Sequence, residues 1–190
     1  MNFLNVESNF LLIHGDISVK AACQHDLEIC WNALAQEDGD LVTCRPRQKR
    51  TFEEAQKIFS SLLEDFNICI FAVFYKTDCA GKITFSDYNS RNRSAEVGYS
   101  MLPRFRKQNI MYSSMNLLLN YIFKRSLLNK VYAQTGEFNA SSINLLRRLG
   151  FALDGCLREH HNINGFLYND LIFSLLKSEY ELKSKPISKV

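Results

Sequence analysis

Thirty-four residues, 68 to 101, hold three strand-like stretches, "ICIFAVFY", "GKITFSDY" and "SAEVGYSM", separated only by "KTDCA" and "NSRNR". The stretches are rich in β-branched and aromatic residues, and linkers this short cannot carry a crossover, so each reversal is a hairpin and the three form an antiparallel meander. Pro103 closes the meander. Met111, Met115, Leu118, Leu119, Ile122 and Phe123 then recur at helical period. A strand therefore runs into a helix through one short loop, "RFRKQNI", which has three basic side chains and no glycine. In open α/β sheets ligands bind where strand ends diverge and a helix N-terminus points into the gap, and this loop occupies that place.

The rest of the chain supplies the flanks. Phe10 to His14 reads as a first strand, and a helical pattern then carries Leu27, Ile29, Trp31 and Leu34 to about Ala35. "QEDGDLVTCRPRQK" reads as a loop, and a second helix follows, with Thr51 and Glu54 at capping-box spacing. "KVYAQT" reads as a strand. "NASSINLLRRLGF" reads as a helix with Asn139 as N-cap and Gly150 just past its end. Two last strands, about Ala152 to His160 and Leu167 to Leu176, are joined by "NINGF", a turn containing Gly165. Residues 1–182 read as a single domain and 183–190 as a flexible polar tail. A chain of 190 residues buries roughly two thirds of its unfolded surface without staples.

Composition removes several function classes. A net charge of +3 is small, and Lys and Arg are scattered apart from Arg45, Arg47, Lys49 and Arg50, so nucleic-acid binding has no support. Six cysteines (Cys23, Cys30, Cys44, Cys69, Cys79 and Cys156) form no CxxC pair and read as reduced packing residues. The N-terminus has acidic Glu7 and Asp16 and only a short apolar run, so it reads as neither signal peptide nor membrane span, and a cytoplasmic location is expected. His160 and His161 are adjacent and point to opposite faces of a strand, with no third ligand spaced to join them, so no metal site is expected. One of them is expected to line an acceptor pocket, whereas Tyr168 and Asp170 read as structural. No GxSxG elbow or P-loop is present.

Taken together, "AGKITFSDYNSRNRSAEVGYSMLPRFRKQNI", "NASSINLLRRLGF" and "LREHHNINGFLYNDLIFSLL" resemble the GNAT superfamily of acetyl-CoA-dependent N-acetyltransferases, in particular the branch of ribosomal-protein N-terminal alanine acetyltransferases. The resemblance covers about Leu12 to Tyr180. It implies an α/β fold with a single mixed, mostly antiparallel sheet flanked by helices, and acetyl-CoA or another acyl-CoA as co-substrate without a metal. The implied activity is transfer of the acyl group to a primary amine, on a small molecule or a peptide, by direct attack. A monomer or homodimer, no nucleic acid and no membrane are expected.

The resemblance also assigns residues. A bulge on the family's fourth strand, here Ala95 to Met101, splays it from the next and admits the pantetheine arm, with the backbone of Tyr99, Ser100, Met101 and Leu102 as donors. The pyrophosphate loop falls on Arg106, Lys107, Gln108, Asn109, Ile110 and Met111. Asn109 stands where the family has glycine, and Met111 where it has glycine or alanine. Asparagine tolerates φ > 0, but its Cβ and the whole Met111 side chain stand to crowd the phosphates. Arg104, Arg106, Lys107 and the helix dipole compensate. Asn139 and Ser142 match the Asn-x-x-Ser motif beside the donor sulfur, where a hydroxyl protonates the leaving thiolate. The tyrosine that does this in much of the superfamily is replaced by Leu146, which shifts the task to Ser142. Glu96 and Glu159 match glutamates that serve as general base in different relatives, directly or through water. The altered loop keeps open an alternative, a GNAT-fold protein with a carrier-protein donor or a non-catalytic role.

Overall fold

The computed structural model describes residues 2–34, 50–125 and 127–184. The elements are β1 (Leu11–His14), β2 (Ile17–Ala21), α1 (Gln24–Leu34), α2 (Phe52–Glu64), β3 (Cys69–Tyr75), β4 (Asp78–Asn89), β5 (Ser94–Met101), a 3₁₀ turn (Pro103–Phe105), α3 (Ile110–Lys124), β6 (Lys130–Gly136), α4 (Ala140–Leu149), β7 (Ala152–Ile163), β8 (Phe166–Leu176) and α5 (Lys177–Ser184). They form one eight-stranded sheet in the order β1-β2-β3-β4-β5-β6-β8-β7. Every neighbouring pair is antiparallel except β5 with β6. The expected mixed, mostly antiparallel sheet flanked by helices is therefore the observed one.

Side-chain alternation divides the sheet into two unlike faces. On one, Val19, Phe71, Val73, Ile83, Phe85, Ala95, Val97, Val131, Ala133, Phe173 and Leu175 pack with Met115, Leu118, Leu119, Ile122 and Phe123 of α3 and with Leu146 and Leu149 of α4. On the other, Leu27 of α1 and Ala55 and Phe59 of α2 cluster over Ile70. The capping box that starts α2 is closed: Glu54 N donates to Thr51 Oγ1 at 3.3 Å, and Thr51 N to Glu54 Oε2 at 2.8 Å. Away from this small cluster the second face is polar. Direct pairing sets Lys82 beside Ser100, Thr84 beside Gly98 and Ser86 beside Glu96, and the strip continues through Tyr132 and Gln134 to Asp170 and Ser174.

Four local features depart from the sequence reading. The first strand is a hairpin, because Gly15 at φ +56° reverses the chain into β2, a strand too short to show its period. β4 starts at Asp78, so most of "KTDCA" is ladder rather than linker. β7 runs on to Ile163, and α5 continues to Ser184, two residues into the expected tail. Of the cysteines, Cys30, Cys69 and Cys79 are buried packing residues, and burial pushes the Cys69 thiol up to about 12, whereas Cys23 and Cys156 are exposed. The loop expected at 36–49, with its basic run and Cys44, lies outside the described residues. None of the described helices is long and apolar enough to cross a membrane.

Candidate active site

The parallel seam between β5 and β6 is short. Ser94, Ala95 and Glu96 pair with Lys130, Val131 and Tyr132, and beyond Glu96 the strands part. The bulge expected on β5 lies instead on its partner. Asp87 and Tyr88 of β4 together oppose Ala95, with Asp87 at φ +52°, so the extra residue sits on the longer strand and β5 itself stays regular. The fork is present all the same.

Antiparallel ladders bond through alternate pairs, and that alternation decides which amides the fork receives. Leu102 N–H donates to Ala80 O at 2.8 Å. Counting back in steps of two, the amides of Ser100 and Gly98 also face β4, and those of Met101 and Tyr99 face the fork, while Val97 N–H belongs to the last parallel pair of the seam. Of the four expected donors, Tyr99 and Met101 therefore face the fork, while Ser100 and Leu102 are committed to the sheet. Arg106 Nε reaches back to Met101 O at 3.0 Å, which puts a guanidinium at the mouth.

The glycine-free loop solves its two steric problems separately. Asn109 adopts the left-handed conformation (φ 60°, ψ 6°) that a glycine would otherwise supply, as does Lys107 at φ +59°. Met111 does not crowd the helix end, because its side chain and that of Ile110 turn into the core at 8% and 2% exposure. Arg106, Lys107, Gln108 and Asn109 are exposed. No side chain caps α3, and its first intrahelical bond comes from Ser113 N to Asn109 O at 3.0 Å, so the amides ahead of Ser113 remain directed outward. Arg148 of α4, which the sequence reading missed, donates to Asn109 Oδ1 at 2.5 Å and lies 3.8 Å from the Tyr112 ring centroid. Arg104 pairs instead with Asp78 at 3.4 Å.

On the far side of the fork, Asn139 caps α4 by accepting from Ser142 N at 3.1 Å. Ser142 Oγ is 2.7 Å from Tyr99 Oη, so α4 and β5 are joined across the opening by two hydroxyls. Leu146 is fully buried. Ser100 Oγ is buried with no hydrogen-bond partner among the described residues. Glu96 is half-buried on the polar face at the last paired position of β5. Glu159 lies apart from it, exposed, at φ +52° in a wide bulge of β7 where three residues oppose Asn169 alone, with its N–H held by Asn169 Oδ1 at 3.0 Å. A cavity of about 430 Å³ lined by Asn92, Ser94, Asn129, Lys130, Tyr132 and Ile172 lies at the opposite end of β5 and β6 and touches none of these groups. Among the described residues no group of three or more His, Cys, Asp or Glu side chains could hold a metal ion.

Comparison with known proteins agrees with this geometry. A family model described as an acetyltransferase (GNAT) domain matches residues 20–152. YdaF of Bacillus subtilis (strain 168), provisionally named a ribosomal N-acetyltransferase, is 28% identical over 155 residues, 80% of this chain and 79% of its own. The spermidine N(1)-acetyltransferase of Escherichia coli (strain K12) is 24% identical over 134 residues, 70% of this chain and 72% of its own. Among solved structures, RimL, a ribosomal-protein α-N-acetyltransferase in complex with coenzyme A, superposes with a TM-score of 0.81 at 18% identity, covering 90% of this chain and 99% of that one. The spermidine N-acetyltransferase of Vibrio cholerae, in complex with CoA and spermine, gives 0.80 at 21% identity over 88% and 99%. At these identities the structural likenesses carry the fold, and the family match carries the chemistry: the chain belongs to the acetyltransferase (GNAT) family and is an acyl-CoA-dependent N-acetyltransferase.

Proposed function

We propose that acetyl-CoA is the donor, that it lies in the β5–β6 fork, and that a primary amine, on a peptide N-terminus or a small molecule, approaches from the polar face. The observation that carries this reading is the fork itself, with cleft-facing amides of Tyr99 and Met101 on one wall and the uncapped amide end of α3 at its mouth. Tyr99 and Met101 pair with the pantetheine amides. The first-turn amides of α3, with Arg106 and Lys107, hold the pyrophosphate. A cleft-facing amide stabilises the oxyanion as the amine attacks the thioester carbon. Ser142, bonded to Tyr99, returns a proton to the departing thiolate.

Glu96 supplies negative charge where an ammonium arrives, and Glu159 at the exposed rim offers a route for its proton to solvent. The polar strip also carries Lys82, and its further carboxylates are engaged, Asp170 being fully buried and Asp87 accepting from Tyr132 Oη. That balance suits an amine bearing one charge better than a polyamine. The relatives named above include both ribosomal and spermidine acetyltransferases, so the choice is testable. The residue set 1–182 is proposed as one catalytic domain working in the cytoplasm.

Calorimetric titration with acetyl-CoA and with a pantetheine fragment lacking the pyrophosphate is the first test, followed by thiol release with an N-terminal alanine peptide and with spermidine. Tighter binding of the whole donor and faster turnover of the peptide are expected, with Ser142→Ala lowering kcat by about a hundredfold. No heat and no thermal shift with acetyl-CoA would refute the reading and favour a carrier-protein donor or a non-catalytic role.

A further inference from the structure

Asp170 is fully buried, as only a well-compensated carboxylate can be. Its Oδ2 accepts from Gln134 Nε2 at 2.7 Å. Among the described residues its Oδ1 has no hydrogen-bond partner, and His161 Nδ1 stands 3.7 Å away, close enough to pair and too far to have closed the bond. The two residues come from adjacent strands and share the polar face, since His161 pairs with Tyr168 and Tyr168 alternates with Asp170. Asp170 also pairs with Gly136, the last residue of β6 and three before the Asn139 cap, which puts the carboxylate and imidazole beside the open end of the fork.

We infer that His161, oriented by Asp170, takes the proton from the incoming amine, a role that rests on the acetyl-transfer reading above. A carboxylate oxygen with one candidate donor fixes that donor: Nδ1 carries the hydrogen that faces Asp170, and Nε2 on the opposite side of the ring is left basic. The surroundings hold the ring in place. Phe138 packs edge-on against both His161, at 5.0 Å between centroids, and Tyr168, at 5.4 Å. Gly136 makes room for Phe138, because a Cβ there would lie 2.2 Å from its ring. The β7 bulge brings His161 back into register after Leu157. The groups facing the imidazole are Asp170 and Tyr168 from β8 and the uncharged Phe138, while its strand neighbours Glu159 and His160 are exposed.

The step balances as follows. The ammonium gives one proton to Nε2, its lone pair forms the C–N bond, and the C–S bond breaks. Ser142 supplies the thiolate proton and is refilled by the second proton leaving nitrogen. The imidazolium discharges to solvent past Glu159, and the products are the amide, the free thiol and one proton.

The test is the pH profile of kcat/KM for the full chain with acetyl-CoA and an N-terminal alanine peptide. In His161→Gln, kcat is expected to fall by about 10²- to 10³-fold and the acidic limb to disappear, while the acetyl-CoA Kd and thermal midpoint stay near wild type. Asp170→Asn should lower kcat about tenfold, because the imidazole loses the partner that orients it. His161→Gly should regain rate with added imidazole, a response no purely structural role would give. Retention of the limb in His161→Gln together with its loss in Glu159→Gln overturns the inference alone and moves the proton to the carboxylate. A His161→Gln defect without imidazole rescue, with the acetyl-CoA Kd raised, also overturns it. Wild-type protein that binds no acetyl-CoA overturns both this and the reading beneath it.

Discussion

Replacing Gly81 by alanine should separate two strands and weaken the donor site from behind. Gly81 pairs with Met101 across β4 and β5. A Cβ built on it would lie 2.3 Å from the Ser100 carbonyl oxygen, 3.1 Å from Met101 Cα and 3.2 Å from the Ser100 carbonyl carbon. All three are backbone atoms, so no rotamer change relieves the overlap and β5 must move. Overpacking of this kind costs about 1–3 kcal/mol. The adjacent bond from Leu102 N to Ala80 O, now 2.8 Å, adds about 1 kcal/mol when lost. A total of about 2–4 kcal/mol corresponds to a fall in Tm of about 5–15 °C for a chain of this size. The same shift carries away the fork-facing amides of Tyr99 and Met101, so acetyl-CoA affinity should fall at least about tenfold. Urea unfolding followed by the fluorescence of Trp31, the sole tryptophan, gives the first quantity, and calorimetry of the folded variant gives the second. Gly98→Ala is the control, since its Cβ meets nothing within 4 Å. A Gly81→Ala protein with unchanged urea midpoint and unchanged acetyl-CoA binding would refute the reasoning.

Two further outcomes are expected. Asn109→Ala keeps a left-handed residue and loses the Arg148 bond, whereas Asn109→Gly loses only the bond. The alanine variant should therefore be the less stable by about 1 kcal/mol in urea, and the glycine variant should bind acetyl-CoA at least as tightly as wild type. The second concerns Asp154, whose carboxyl is held below the usual carboxylate range by the hydrogen bond from Lys130 Nζ at 2.6 Å. A depressed folded pKa means stability that is present above about pH 4 and is lost as pH falls through the folded value. Asp154→Asn should accordingly unfold at lower urea than wild type at neutral pH and at the same urea in acid; a gap that persists in acid would contradict this.

The parts of the fold written in local pattern were legible. The meander, α3, the closed capping box of α2 and the Asn139 and Gly150 caps of α4 all rest on spacing within a few residues, and all are present. β2 was missed because five residues between a glycine turn and a helix show neither period clearly. The site was legible to the extent that a residue's partner is near in sequence. Asn109 at φ 60° follows from asparagine's tolerance of the left-handed region, but Arg148 reaching it from α4 depends on how two helices cross. Which of Tyr99 to Leu102 faces the fork could not be read without the ladder's phase, set by the bond between Leu102 and Ala80. Asp170 read as structural, and His161 could not be told from His160 as the residue lining an acceptor pocket, because their encounter depends on the β7–β8 register across the β7 bulge.

The three-pair seam between β5 and β6 has a consequence for folding as well as for binding. β1 to β5 form one antiparallel block and β6 to β8 a second, and among the described residues strand pairing joins them through Ser94, Ala95 and Glu96 alone, with α3 crossing between. The three parallel pairs of the seam are few beside the ladders within each block, so the seam is where the sheet opens first. A ligand that pairs with both walls acts as a missing length of strand and ties the blocks together. At a concentration a hundred times its Kd it adds about 2.7 kcal/mol to the folded state. The amount of folded enzyme then follows the supply of its own co-substrate, and hydrogen exchange along Val97 to Met101 would read that dependence directly.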